Sequence, residues 1–168
     1  MSHISRIPFK KFSLVSQERR LPNGLVAMVE FVEHPGAVLI VPFMKKDKII
    51  LMRQYRLVLR SYLYEFPAGT RKNNEAPLTC AKRELIEEAG FRAGKLIRLG
   101  HICPVPAYST EIITIYKATQ LTPASAPKDP DEIITVSVVS KSQVVRLFHR
   151  GLIKDAKTIC ALAFCGWV

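Results

Sequence analysis

The stretch from Gly69 to Phe91, GTRKNNEAPLTCAKRELIEEAGF, restricts this chain more than any other part of it. It sets Gly69, Glu75, Arg83, Glu84, Leu85, Glu87, Glu88, Gly90 and Phe91 in one pattern: Gly, five residues, Glu, seven residues, Arg-Glu-apolar, one residue, Glu-Glu, one residue, Gly-apolar. With usage of about 5–7% per residue type, a chance match in a chain of this size is rarer than roughly one in a million. The spacing therefore demands a physical reason.

That spacing predicts a helix over 77–89. Pro77 suits its first turn and Gly90 the position just past its end. Leu78, Ala81, Leu85 and Ala89 recur on one face and make it apolar. Glu84 and Glu88, four apart, share a face, and Glu87 lies beside them. Carboxylates crowded in this way repel one another unless divalent cations sit between them. Carboxylate oxygens suit hard cations, and magnesium typically takes one or two carboxylates together with waters and substrate phosphates. Arg83 stands four before Glu87 and follows the loop that holds Glu75, so an Arg–carboxylate contact is expected to pin that loop to the helix. Gly69 opens the loop and lets its backbone approach a metal closely. The competing reading is a solvated acidic face on a surface helix.

The rest of the chain reads mostly as strands. Lys11 to Val15 and Leu25 to Val32 flank the turn signal Leu21-Pro22-Asn23-Gly24 and predict a hairpin, which the breaker His34-Pro35-Gly36 ends. Ala37 to Phe43 and Lys48 to Tyr55 are apolar, β-branched runs joined at Lys45-Lys46-Asp47. Tyr62 to Phe66 is a shorter strand ended by Pro67-Ala68-Gly69. Lys95 to Ile102, Glu111 to Ala118 and Ile133 to Val139 are further strands, with a loop over Leu121 to Pro130. Ser142 to Arg150 and Lys157 to Phe164 read as helices. Strands, helix, strands, helices is not a β-α-β alternation, so the expected class is α+β or a sandwich rather than a doubly wound sheet.

The 168 residues suit a single domain. Apolar residues make up 48% and charged residues 23%, a soluble globular composition. No run approaches the roughly 18 apolar residues of a membrane helix. Basic and polar residues interrupt the N-terminal segment where a signal peptide would be continuously apolar, so the expected location is the cytoplasm. Cys80, Cys103, Cys160 and Cys165 form no C-x-x-C pair and read as buried or free thiols of a reducing compartment. The net charge of +11 attracts anions. Its short clusters, Lys10-Lys11, Arg19-Arg20 and Lys45-Lys46, are dispersed, which favours a solvated surface or an anionic substrate over nucleic acid.

The 69–91 stretch resembles the Nudix box. Its surroundings are similar to the branch of that family that holds ADP-ribose pyrophosphatases and related nucleoside diphosphate sugar hydrolases. His34-Pro35-Gly36-Ala37, Arg53-Gln54-Tyr55-Arg56, Glu65-Phe66-Pro67-Ala68-Gly69, Pro106, and Gly151-Leu152-Ile153-Lys154-Asp155 with Thr158 carry that likeness. The chain departs from the branch at Ala107, where glycine is usual, and at Met28-Val29, where basic residues are common.

The resemblance implies an α+β fold, the Nudix α/β/α sandwich with a mixed sheet, over residues 34–168. A β-rich extension over residues 1–33 would serve dimerisation. It implies Mg2+-dependent hydrolysis, with Mn2+ possible, of the diphosphate bond of nucleotide sugars such as ADP-ribose. The Ala68 carbonyl, Glu84 and Glu88 would bind metal, and Glu87 would assist as a ligand or through a bound water. The acidic loop Asp129-Pro130-Asp131-Glu132 would supply the general base, Glu132 before Asp131, with Glu111 left open, and Glu132 could add a ligand. Arg56 and Glu111 would contact substrate, with Gly69 close by. Arg19, Arg20 and Glu30 would reach toward the partner's site in a homodimer, with the N-terminal segment swapped. Gly69, Glu75, Arg83 and Gly90 would hold the box in shape. No membrane partner is implied, and nucleic acid is not expected.

Two other activities compete. Removal of pyrophosphate from RNA 5′ ends, or cleavage of dinucleoside polyphosphates, suits the basic charge, but no aromatic platform for bases is interleaved with it. A non-catalytic nucleotide sensor on the same fold would be expected to have lost box carboxylates, and this chain keeps all of them.

Overall fold

The run Ala37–Lys45 is apolar on both sides of its pleat, which suits only a strand covered on both faces. In the computed structural model, which describes residues 4–127 and 131–168, that run is β4. The elements in order are β1 (Ile4–Pro8), β2 (Ser13–Arg20), β3 (Val26–Glu33), β4 (Ala37–Lys45), β5 (Lys48–Arg56), β6 (Ser61–Glu65), β7 (Ala68–Thr70), α1 (Pro77–Ala89), β8 (Phe91–Ile102), β9 (Ile113–Pro123), β10 (Ile134–Ser140), α2 (Lys141–His149) and α3 (Ala156–Phe164).

A seven-stranded sheet runs β10-β5-β4-β9-β8, with β6 on β5 and β7 on β4. The β4–β9 pair is parallel and its neighbours antiparallel, so the sheet is mixed. Alternation along β4 splits the core. Leu39, Val41 and Phe43 point toward Val144 of α2 and Ala161 and Leu162 of α3. Val38 and Ile40 point toward Cys80, Ala81, Leu85 and Ala89 of α1. The result is the helix–sheet–helix sandwich with a mixed sheet that the sequence led us to expect. Among the described residues no helix is long and apolar enough to cross a membrane.

The N-terminal strands form a separate three-stranded antiparallel sheet, β1-β2-β3. Val32 ties it to the sandwich, donating to the Tyr108 carbonyl at 2.8 Å and accepting from Thr110 N–H at 3.0 Å. The Leu21–Gly24 turn lies where expected, with Gly24 N–H on the Leu21 carbonyl. The strand before it does not. Apolar residues thin out after Val15, yet β2 runs on to Arg20 because its ladder with β3 continues to the turn, ending at Arg20↔Val26. β1 is an additional strand, exposed along its length.

Three further differences have local causes. β8 starts at Phe91 rather than Lys95, and β9 reaches Pro123 rather than stopping at Ala118, because the two pair to the end, Phe91↔Pro123. Pro67-Ala68-Gly69 does not simply end a strand: Ala68 and Thr70 pair with Leu39 and Ala37 as β7. The boundaries of α1 fall at Pro77 and Gly90 as predicted, with Gly90 at φ +76° closing the helix through its N–H to the Ile86 carbonyl. The apolar face is misread at one place: Leu78 is 43% exposed, and Cys80 is buried instead.

Candidate active site

A helix buries a stripe that advances by three and four residues. In α1 the stripe takes Cys80, Ala81, Glu84, Leu85, Glu88 and Ala89. Two acids are therefore carried into the protein with the apolar residues, Glu84 at 7% and Glu88 at 4% exposure. They border a cavity of about 1380 Å³ whose wall includes Ala68 and Gly69 of β7, Arg83 and Glu87 of α1, Arg56, Glu111 and Glu132.

Arg83 organises the acids. Its Nε and Nη2 donate to the two carboxylate oxygens of Glu75 at 3.0 and 2.9 Å. Its Nη1 donates to Glu84 at 2.5 Å and to Glu87 at 2.9 Å. The loop before the helix is pinned as the sequence suggested, and the Glu75 Oε2 also accepts from Lys72 N–H at 3.0 Å. The Arg83 bond holds the Glu75 carboxyl down to about 2 despite burial. Glu88 is held differently: its Oε2 accepts the Ala68 N–H at 2.8 Å.

Burial pushes the Glu88 carboxyl up, the Ala68 N–H pulls it back, and the charges of Glu84 and Glu132 push it up again, leaving it at about 8. Burial also raises Glu84, against the charge and hydrogen bond of Arg83. Repulsion on this face is thus relieved by one guanidinium and by proton uptake. Among the described residues no group of three or more His, Cys, Asp or Glu side chains stands gathered in a metal-holding cluster. Even so, the donor chemistry fits a hard divalent cation: buried carboxylates that resist ionisation, beside backbone of β7.

Gly69 shows how close that backbone is. A Cβ there would lie 2.0 Å from the Glu84 carboxylate. Gly69→Ala should displace a carboxylate that Arg83 holds, and a misplacement of this kind costs about 10- to 100-fold in kcat/KM. Kinetics beside a thermal melt check this; wild-type kcat/KM would show that the Glu84 position does not matter.

The NUDIX domain profile matches residues 33–162. The chain belongs to the Nudix family. It is 32% identical over 157 residues to the ADP-ribose pyrophosphatase of Bacillus subtilis (strain 168), covering 92% of this chain and 85% of that protein. It is 30% identical over 139 residues to the GDP-mannose pyrophosphatase of Escherichia coli O1:K1 / APEC, covering 77% and 72%. A crystal structure of an ADP compounds hydrolase superposes with a TM-score of 0.80 at 27% identity, covering 96% of this chain and 89% of that one. The chain is a Nudix hydrolase, and hydrolases of this family generally use divalent metal ions.

The Nudix box residues Gly69, Arg83, Glu84, Glu87 and Glu88 meet at the cavity wall together with Ala68, Arg56, Glu111 and Glu132. Glu75 and Gly90 sit behind them, at the loop and the helix end. Asp131 is exposed and outside the lining, whereas Glu132 is half-buried and within it. Asp129 and Pro130 lie outside the described residues. Arg19 and Glu30 do not join this lining. Arg19 stacks over the Phe31 ring at 4.5 Å, Glu30 pairs across β2–β3 with Ser16, and Arg20 is exposed.

Sequence reasoning passed over part of the wall. Arg6, Lys10 and Lys11 reach it from the N-terminal sheet, and Asp155 and Lys157 from the start of α3. Lys10-Lys11 between Phe9 and Phe12 was a visible signal, but a short basic pair is most often a solvated turn. Lys157 gave none, because its partner Glu65 is 92 residues away in the chain.

The raised Glu88 carboxyl has a pH consequence for the metal-free protein. Between the ordinary carboxyl range near 4.5 and about 8 the folded state holds more protons than the unfolded state. Stability therefore falls as pH rises across that window. Glu75 acts with the opposite sign in a different window: its contribution is complete above about 4.5 and is lost as pH falls toward about 2. Melting temperatures after chelation should decline from pH 5.5 to 8, and Glu88→Gln should flatten the decline. A Glu88→Gln profile parallel to that of the wild type would contradict the raised Glu88 carboxyl.

Proposed function

We propose that this hydrolase cuts the diphosphate bond of nucleoside diphosphate sugars such as ADP-ribose, giving a nucleoside monophosphate and a sugar phosphate, with Mg2+ as cofactor and Mn2+ as its substitute. The observation that carries the reading is one cavity uniting the buried acids of the box with a cationic wall led by Arg56. The activities for which the relatives are named, on ADP-ribose and GDP-mannose, point the same way.

In this reading Glu84 and Glu88 would hold the metal with the Ala68 carbonyl, and Glu87 would assist directly or through a water. A divalent ion there would neutralise phosphate charge and lower the pKa of the attacking water. Glu132 is the general base: it lines the cavity, and its charge is felt by both Glu84 and Glu88. Asp131 is second choice, since it does not line the cavity. Arg56 binds diphosphate oxygens through its planar fork. Glu111 faces the same space and contacts substrate there.

Residues 1–33 are assigned to a dimerisation extension and 34–168 to the catalytic domain. Support comes from Ile4, Ile7, Leu14, Val26 and Met28, apolar residues left exposed on the N-terminal sheet, a cover for a second copy of the chain. In that dimer Arg19 and Glu30 would reach the partner's site. Light scattering at micromolar concentration should give twice the chain mass, and a monomer would overturn the assignment. The four free thiols suit a reducing cytoplasm.

The test is turnover. Purified protein with Mg2+ is assayed on ADP-ribose, GDP-mannose and other nucleotide sugars, beside a dinucleoside polyphosphate and a 5′-triphosphorylated RNA. Release of monophosphate from a nucleotide sugar is expected. Turnover of none of them, or of the RNA alone, would overturn the proposal.

A further inference from the structure

We propose that Glu65 and Lys157 are positioning residues that hold the Arg56 guanidinium, and through it the substrate's diphosphate. The inference rests on the proposed assignment of Arg56 to the diphosphate.

Glu65 ends β6 and is 0% exposed. A lone carboxylate at such a place is too costly to keep charged, so its partners define what it does. Arg56, at the end of neighbouring β5, donates from Nε to Oε1 at 2.7 Å and from Nη2 to Oε2 at 2.5 Å. Lys157, in the first turn of α3, donates to the same Oε2. Burial pushes the Glu65 carboxyl up, but the hydrogen bonds and charges of Arg56 and Lys157 outweigh it and keep it lowered. One buried anion thus fixes two cations on the cavity wall.

The arrangement leaves Arg56 with capacity for a ligand. A guanidinium has five N–H donors, and Glu65 takes one edge of Arg56 through Nε and Nη2. The charge of Glu88, on the same cavity wall, adds to the field on Arg56. Because Lys157 shares the charge of Glu65, the guanidinium is oriented without being fully neutralised. Remove the Lys157 ammonium and Glu65 has Arg56 alone to satisfy it; the positive potential offered to phosphate falls and the carboxylate plane is freed.

The anchor behind this pair is a hydrogen-bonded helix cap. Lys157 also donates to Asp155 Oδ1 at 2.8 Å, while Asp155 Oδ2 caps α3 through Thr158 N–H at 3.0 Å and accepts the Thr158 hydroxyl at 2.6 Å. The Thr158 Oγ1 in turn accepts Phe66 N–H at 3.3 Å. The first turn of α3 therefore grips Glu65 by its side chain and Phe66 by its backbone, immediately before the Pro67-Ala68-Gly69 entry to the box.

A double-mutant cycle decides the point. Steady-state kinetics on ADP-ribose with Mg2+, with a thermal melt of each protein, compare wild type, Arg56→Met, Lys157→Met, the double variant and Lys157→Arg. The expected loss for Lys157→Met is about 10- to 50-fold in kcat/KM, most of it as raised KM. In the Arg56→Met background the same change should cost less than about twofold, because Lys157 acts through Arg56. Lys157→Arg should recover most of the loss. Where Lys157→Met, or the double variant that leaves Glu65 without a cation, melts below the assay temperature, Lys157→Gln and Arg56→Gln, which keep an N–H donor for Glu65, carry the comparison. Multiplying losses, or a lowered melting temperature with wild-type kinetics, would make Lys157 a structural strut and overturn the inference. Wild-type kinetics in Arg56→Met would overturn it together with the Arg56 assignment while leaving the hydrolase reading intact. A wild-type protein inactive on every nucleotide sugar would fail at the earlier step.

Discussion

Glu88→Gln is expected to fold as the wild type does and to hydrolyse ADP-ribose on the order of a thousandfold more slowly. The amide has the shape of the carboxyl and keeps an oxygen for the Ala68 N–H, which Glu88 accepts at 2.8 Å. It removes the charge that burial disfavours at this position. The melting temperature of the metal-free variant at pH 8 should therefore equal or exceed that of the wild type. What the amide lacks is the negative charge with which a carboxylate holds a hard cation and offsets its desolvation. The loss should fall on kcat/KM and should not be recovered by raising Mg2+ to ordinary millimolar levels. Circular dichroism, a melt and a rate measurement settle it; near-wild-type turnover would remove Glu88 from the metal site.

Arg83→Met is expected to lose both stability and activity. One guanidinium satisfies Glu75, Glu84 and Glu87, with a further weak bond to the Thr70 carbonyl at 3.4 Å. Its side chain is 20% exposed, against 10% for both Glu75 and Glu84. Taking one partner out of a buried ion pair costs about 3–5 kcal/mol, and partial solvent access places this case near the lower end. A loss of roughly 3 kcal/mol lowers the melting temperature by about 6–12 °C in a chain of this size. The box loop, released from the helix, no longer fixes Gly69 against Glu84, so turnover should drop by on the order of 100-fold even below the new melting point. Arg83→Lys should rescue little, since a point charge does not replace a planar fork that reaches three carboxylates. An unchanged melt would mean that the helix and loop are held by other contacts.

Local patterns were the legible part of the sequence. Pro77, Gly90 and the run over Ala37 to Phe43 announce their elements because capping and two-sided burial act over a few neighbouring residues. The box fixes Glu75, Arg83, Glu84 and Glu88 relative to one another because a helix and one short loop connect them. Contacts set by the packing of distant elements were not legible. The Glu65–Lys157 pair joins β6 to α3, and nothing near either residue in the chain marks it. The approach of Lys10 and Lys11 to the cavity depends on a sheet whose first strand has too little apolar pattern to be seen. The misplacement of Leu78 has the same origin: periodicity gives a face, but only packing against β4 says which edge of that face is covered.

The most direct measurement is an anomalous difference map from crystals soaked in Mn2+. The expected result is a peak within about 2.5 Å of carboxylate oxygens of Glu84 and Glu88, on the side of α1 that faces Ala68 and Arg56. Clean density with no ion at that helix, under conditions in which the protein hydrolyses its substrate, would contradict the assignment of these buried acids to a metal and leave the chemistry of the cavity without its basis.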